Sequence, residues 1–230
     1  MLDGLLEFLP PAIIKAVVQK RRKLNEEETA ARYVLSVKLN IKERKTRRPV
    51  VIAFIGLVGS GKSSVAQELA KCIGATIIEY DAIRTELAKH KASYDKAWAI
   101  AENMAEFILA QGGNVVLDSD FAEPKKRASM RERAHAWGVQ LIFVRTVCDF
   151  DMMSQRIREK DPGLFFNAAS SKSTAVDKGK DVKMRELWRR TPHHYRWVNQ
   201  GVGKWVLKKF SFAIFAEINT ANPDSWKCEV

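Results

Sequence analysis

Residues 50–64 read VVIAFIGLVGSGKSS. The first six, Val50-Val51-Ile52-Ala53-Phe54-Ile55, form a short apolar run with the length and β-branched character of a buried strand. Gly56, Gly59 and Gly61 then fall within six residues and are followed by Lys62, Ser63 and Ser64. Glycine at this density loses backbone entropy and packs nothing, so the turn calls for a compensating ligand. Between a strand and a helix, Gly56-x-x-x-x-Gly61-Lys62-Ser63 points to phosphate. Backbone N–H groups from Gly56 through Ser60 and Gly61 to Ser64 can wrap an anion, and the helix N-terminus adds the positive end of its dipole. Lys62 offers a point charge to the β- and γ-phosphates, and the Ser63 hydroxyl can ligate Mg²⁺.

Outward from this loop the chain alternates short β-rich runs with longer helical segments. Strands are expected at Val50–Ile55, Ala75–Glu79, Asn114–Leu117, Val139–Val147 and Phe210–Ile218. Helices are expected at Lys62–Ile73, Ala82–His90, Asp95–Gln111, Pro124–Trp137 and Phe150–Lys160, with Gly74, Gly112 and Gly138 standing where left-handed C-caps are wanted. Such alternation predicts βαβ units and a mostly parallel sheet. The expected fold class is therefore α/β: a P-loop NTPase with a five-stranded sheet and helices on both faces. A domain over residues 50–230 would follow a basic helical appendage over residues 1–49, with a lid at about residues 156–182. Loops of this kind serve motors, switches and small kinases alike, so the loop alone does not name the chemistry.

The stretch Ile77-Ile78-Glu79-Tyr80-Asp81-Ala82-Ile83-Arg84 runs from a strand into a helix start. It sets Asp81 at the carboxyl end of the second strand, on the sheet edge that carries the phosphate loop, with Arg84 one helical turn on. A carboxylate there can take the proton of an attacking hydroxyl, and the arginine can hold an anionic substrate. The plainer alternative is an N-cap aspartate with an i, i+3 ion pair.

At this point the chain resembles the P-loop kinases related to the 5′-hydroxyl polynucleotide kinases and, more distantly, the zeta-toxin kinases, a group of small AAA-type ATP-binding kinases. Asp81-x-x-Arg84 matches their D-x-x-R element, and the resemblance implies that Asp81 is the general base and that Arg84 binds substrate or supports Asp81. VVLDSDFAEPKKR resembles the family's strand ending in aspartate, with Asp118, Asp120 and Arg127 at the matching positions. Asp118 would hold Mg²⁺ as a Walker B carboxylate, and Asp120 and Arg127 would face substrate. Arg156-x-x-x-Lys160 matches the R-x-x-x-R of the family's lid and makes Arg156 the cation over the transferring phosphoryl group. Lys160 replaces the usual second arginine, which loses bidentate contact there. The Asp118-to-Arg127 spacing is one residue longer than the family's. The resemblance covers roughly residues 50–160 and implies ATP and Mg²⁺ as cofactors.

Lys and Arg outnumber Asp and Glu by 39 to 27, giving a net charge of +12. This charge favours polyanionic partners, nucleic acid or anionic membrane among them, besides nucleotides. Met184–Val230 interleaves Trp188, Trp197, Trp205 and Trp226 with Arg185, Arg189, Arg190, Arg196, Lys204, Lys208 and Lys209. That composition fits single-stranded nucleic acid binding or, alternatively, core and interface packing. Residues 161–181 read as a polar loop, and His193-His194 has no companion metal ligands.

Cys72, Cys148 and Cys228 lack C-x-x-C spacing and suit a reducing cytoplasm. No apolar run reaches the roughly 18 residues that span a bilayer. The opening MLDGLLEFLPPAIIKAVVQKRRK has its positive cluster after the apolar part, the reverse of a signal peptide, and suits a helix packed on the core, on a partner or on a membrane surface.

The expected activity is transfer of the γ-phosphate of ATP to a hydroxyl. The acceptor is a polynucleotide 5′-hydroxyl or a small molecule such as a nucleoside or nucleotide sugar. An ATP-dependent switch without kinase activity is the competing class, and a binding protein whose appendage matters most is a third.

Overall fold

The computed structural model describes residues 24–159, 178–199, 203–222, 224 and 226. Five parallel strands form the central sheet: β1 (Val50–Ile55), β2 (Ala75–Glu79), β3 (Asn114–Asp118), β4 (Gln140–Val147) and β7 (Ala216–Asn219), in the order β2-β3-β1-β4-β7. The chain leaves central β1 for β2 and β3 on one side and returns to β4 and β7 on the other. A crevice therefore opens at the carboxyl end of β1, where open parallel sheets bind ligands.

Side chains of β1 alternate between two cores, as the period of two in a strand requires. Val51, Ala53 and Ile55 enter a core with α3 (Tyr80–Lys89), α4 (Ala97–Ala110) and α5 (Pro124–Ala136). Ile52 and Phe54 face α2 (Lys62–Ile73) through Val65, Ala66 and Ala70. Helices thus cover both faces, as expected. A third, smaller cluster lies above the carboxyl edge, where Met153 and Ile157 of α6 (Phe150–Glu159) and Leu187 of α7 (Lys178–His194) bury Leu57 of the glycine-rich loop. This contact holds α7 over the crevice.

The described part of the expected appendage is packed on the domain. Helix α1 (Glu26–Val37) begins in a capping box between Asn25 and Glu28 and buries Ala31, while Leu24, Leu35, Leu39 and Ile41 pack on the same core. The linker after it donates Lys45 N to Ile73 O at 2.9 Å and Arg44 to Gly112 O at 2.6 Å. Residues 1–23 lie outside the described residues, as do Lys160 and most of the expected lid.

Three elements differ from the sequence expectation, the first being helix α7, which was not expected and whose start at Lys178 lies within the stretch read as a polar loop over residues 161–181. The last strand is only Ala216–Asn219, because Phe210 and Phe212 are drawn from the ladder into ring contacts with Arg145 and Arg127. The tail after α7 forms an antiparallel hairpin, β5 (Tyr195–Val198) with β6 (Lys204–Leu207), separate from the main sheet. Cys148 is a free, buried thiol and Cys72 is disulfide-bonded, so the cysteines are not all reduced. No described helix is long and apolar enough to cross a membrane.

Candidate active site

The loop after β1 turns on Gly59 and Gly61, whose φ values are +80° and +82°. Side-chain-bearing residues pay roughly 1–2 kcal/mol in that region. Space is also closed there, since a Cβ on Gly59 would lie 2.7 Å from Met153 O. Gly61 is the N-cap of α2 and offers no side-chain cap. The first N–H groups of a helix have no intrahelical partner, so this end of α2 suits an anion.

A cleft of about 630 Å³ opens beside this loop. Gly56, Gly59, Gly61, Lys62, Ser63 and Ser64 line one wall, and Asp81, Arg84, Asp118, Asp120 and Arg156 lie along the rest. The fold thus gathers most of the expected site residues from five elements. Lys62 Nζ folds back to donate to Gly56 O at 2.9 Å and Leu57 O at 2.8 Å. Burial pushes its ammonium pKa down, against the pull of Asp120, Asp118, Glu186 and Asp81.

Asp81 lies in the first turn of α3 with Glu79 as N-cap, so it is free of capping duty. Its carboxylate pairs with Lys183 at 3.2 Å and, more loosely, with Arg84 at 3.7 Å, and its side chain is 54% exposed. Arg156 donates to Gly59 O at 3.2 Å, Thr220 Oγ1 at 3.0 Å and Thr220 O at 2.6 Å. It is thereby tied to the back of the glycine-rich loop.

Two expected roles, those of Arg127 and Asp120, are corrected by the geometry. Arg127 is buried away from the cleft, donating to Phe121 O and Ala122 O and stacking on Phe212 at 4.0 Å. Its neighbour Lys126 faces the cleft instead. The Ser60 hydroxyl turns inward to Thr146 Oγ1 at 2.8 Å, leaving only its backbone to the loop. Asp120 has both oxygens taken: one accepts from Gly56 N and Ala122 N, and the other meets Arg190 and His194, each at 3.1 Å. A carboxylate offers about four acceptor positions, so Asp120 braces the loop and has none left for substrate. Burial pushes its carboxyl upward, but the hydrogen bond and charge of His194, with Lys62 and Arg190, outweigh this and hold it well below the ordinary range.

Lys183, Glu186 and Arg190 of α7, with Lys126 of α5, complete the cleft. Lys183, Glu186, Arg190 and His194 follow one another at three or four residues, which is one face of a helix. That periodicity was the available signal, hidden by the lysine- and serine-rich stretch before it. Tail rings pack in separate places: Trp188 on Phe150 at 4.5 Å, Trp197 on Trp205 at 5.4 Å, and Trp226 on the α2 side of the sheet. They do not form a single stacking row.

A family described as an AAA domain matches residues 51–178. The chain belongs to that family. Its residues are 27% identical over 118 positions to uncharacterized proteins of Mycobacterium bovis and Mycobacterium tuberculosis, a match covering 44% of this chain and 24% of those proteins. The chain thus spans about a quarter of the length of these curated relatives. A candidate kinase from Chloroflexus aurantiacus shares the fold with a TM-score of 0.53 at 15% identity, over 77% of this chain and 91% of that one. A Sinorhizobium meliloti gluconokinase matches more loosely, with a TM-score of 0.43 at 18% identity over 78% and 87% of the two chains. The domain shares its α/β fold with that candidate kinase, and the family match does not single out the polynucleotide-kinase and zeta-toxin group.

Proposed function

We propose that the protein is an ATP-dependent kinase that phosphorylates a hydroxyl of a small molecule. One observation carries this reading: Asp81, a solvent-accessible carboxylate outside any cap, lines the same cleft as Lys62 and the N-terminus of α2. The triphosphate would lie along the loop amides, with Lys62 exchanging its two carbonyls for phosphate oxygens. Arg156, which also lines the cleft, would offset charge on the transferring group. An adjoining recess of about 330 Å³, lined by Gly61, Ser64, Arg156, Thr220 and Trp226, suits the base. Trp226 Nε1 is buried with no hydrogen-bond partner among the described residues.

The residues present also suit Mg²⁺. Among the described residues no cluster of three or more His, Cys, Asp or Glu could hold a metal by itself. A kinase Mg²⁺ does not need one, since it takes one or two protein oxygens and completes its shell with water and phosphate. Ser63 and Asp118, both on the cleft, would supply those oxygens, and the ion would neutralise charge between the β- and γ-phosphates. In the reaction the acceptor oxygen bonds to the γ-phosphorus as the bond to the bridging oxygen of ADP breaks. Asp81 receives the hydroxyl proton, and Lys183 orients its carboxylate.

The test is transfer from γ-labelled ATP to a panel of sugars, nucleosides and 5′-hydroxyl oligonucleotides. Asp81→Asn should lower kcat roughly 10²-fold or more, the scale of losing a general base, with the KM for ATP retained. Unchanged turnover in that variant would turn the reading to a nucleotide switch, and label on oligonucleotides alone would restore the polynucleotide acceptor.

A further inference from the structure

Most cations in the cleft already have an oxygen. Lys62 has loop carbonyls, Lys183 has Asp81 and Glu186, Arg190 has Asp120 and Glu186, and Arg156 has Gly59 and Thr220. Lys126 and Arg84 are different. Both sit against the Tyr80 ring, Arg84 Cζ at 4.8 Å and Lys126 Nζ at 5.3 Å from its centroid. Arg84 has only the long contact to Asp81, and Lys126 has no hydrogen bond or ion pair among the described residues. Burial pushes the Lys126 ammonium pKa down, and Arg190 and Arg84 push the same way against Asp120 and Glu123.

We infer that the acceptor carries an anionic group, and that Lys126 and Arg84, seated on the Tyr80 ring, bind it next to Asp81. The inference rests on the kinase reading for the word acceptor. Position separates this pair from the nucleotide, because Arg84 belongs to α3 after β2 and Lys126 to α5 after β3, whereas the phosphate loop follows β1. A single negative group between them would give Lys126 its missing oxygen and let Arg84 make the forked contact its weak pair with Asp81 lacks. It would also leave the adjacent hydroxyl facing the Asp81 carboxylate. Carboxylate and phosphate share this chemistry, and only the acceptor's identity tells them apart.

The experiment compares one sugar in three forms, neutral, as the sugar acid and as the phosphate ester, as acceptors from ATP. Wild type should prefer one or both anionic forms. Lys126→Ala should lower the ratio of anionic to neutral kcat/KM by about 10- to 100-fold, the scale of a charge-assisted hydrogen bond, through acceptor KM rather than the KM for ATP. Lys126→Arg should recover part of it, which a merely structural role would not give. Preference for the neutral sugar, or an effect confined to the KM for ATP, overturns the inference while leaving the kinase reading intact.

Transfer to no acceptor at all overturns the kinase reading instead. The pocket is then judged by thermal stabilisation with the sugar phosphate and the sugar acid, in the presence of a non-hydrolysable ATP analogue that fills the phosphate loop. Stabilisation of wild type but not of Lys126→Ala supports the anion site. Equal stabilisation of the two, or none in either, overturns it.

Discussion

The two walls of the cleft both carry positive charge, but they fix it differently. On the phosphate-loop wall, Lys62 bonds carbonyls only six and five residues before it. On the α7 wall, Lys183 and Arg190 reach carboxylates 102 and 70 residues away. The first wall is built from backbone geometry within one turn and keeps its cation exchangeable. The second is a set of long-range ion pairs that ties α7 to α3 and to the loop after β3. On the proposed function, the local wall would grip what every nucleotide shares, its phosphates, and the assembled wall would shape the space in which an acceptor must fit.

The sharpest way to break this comparison is at the local wall. Lys62→Ala should reduce phosphoryl transfer by roughly 10²- to 10³-fold, as loss of one donor to a developing charge does, with the thermal midpoint nearly kept. Steady-state kinetics with a melting curve would check both. A comparable loss of folding stability would mean that Lys62 holds the loop together through Gly56 and Leu57 and is not held in reserve for phosphate.

At the assembled wall the leading effect should be on stability. Asp120→Asn leaves His194 and Arg190 without their buried partner and should cost about 3 kcal/mol, in the range for breaking a buried pair. Because the folded Asp120 carboxyl lies below its ordinary value near 3.8, its contribution is fully present at neutral pH. The difference between wild type and variant should begin to narrow once pH falls below about 4, where the unfolded chain takes up the proton first. Denaturant titrations at several pH values would read this, and a difference that grows on acidification would contradict the assigned pairing.

Smaller effects sharpen the contrast. Gly61→Ala forces a side chain to φ +82° with its Cβ 3.0 Å from Thr220, and should destabilise by about 1–2 kcal/mol while weakening nucleotide binding. Lys71→Ala removes an exposed pair with Glu68 on the outer side of α2 and should change stability by less than about 0.5 kcal/mol. A larger change there would mean that surface pairs, and not the walls of the cleft, set the stability of this domain.

Much of the fold was legible because its signals are short-range. The apolar alternation of β1, the glycines after it and the helix caps at Gly74, Gly112 and Gly138 each act within a few residues. The gathering of the candidate residues was legible to the same extent: Asp118 ends β3, Lys62, Ser63 and Asp81 open the helices that follow β1 and β2, and a parallel sheet brings all its carboxyl ends to one edge. Arg127 and Lys126 show the limit. They are adjacent in the chain, yet α5 turns one under Phe212 and the other toward Tyr80, and one residue along a helix is a rotation of about 100°.

By itself, then, the sequence determined the phosphate loop, the parallel α/β plan and the carboxylate at the end of β2, since backbone conformation and strand polarity are settled by near neighbours. Tertiary structure alone decided that Asp120 is consumed as a brace with His194, that Arg127 is buried, and that Lys183 and Arg190 return from late in the chain to close the cleft. Those outcomes depend on which helix lies over which strand, and on the charges that burial obliges to find partners across 70 or more residues.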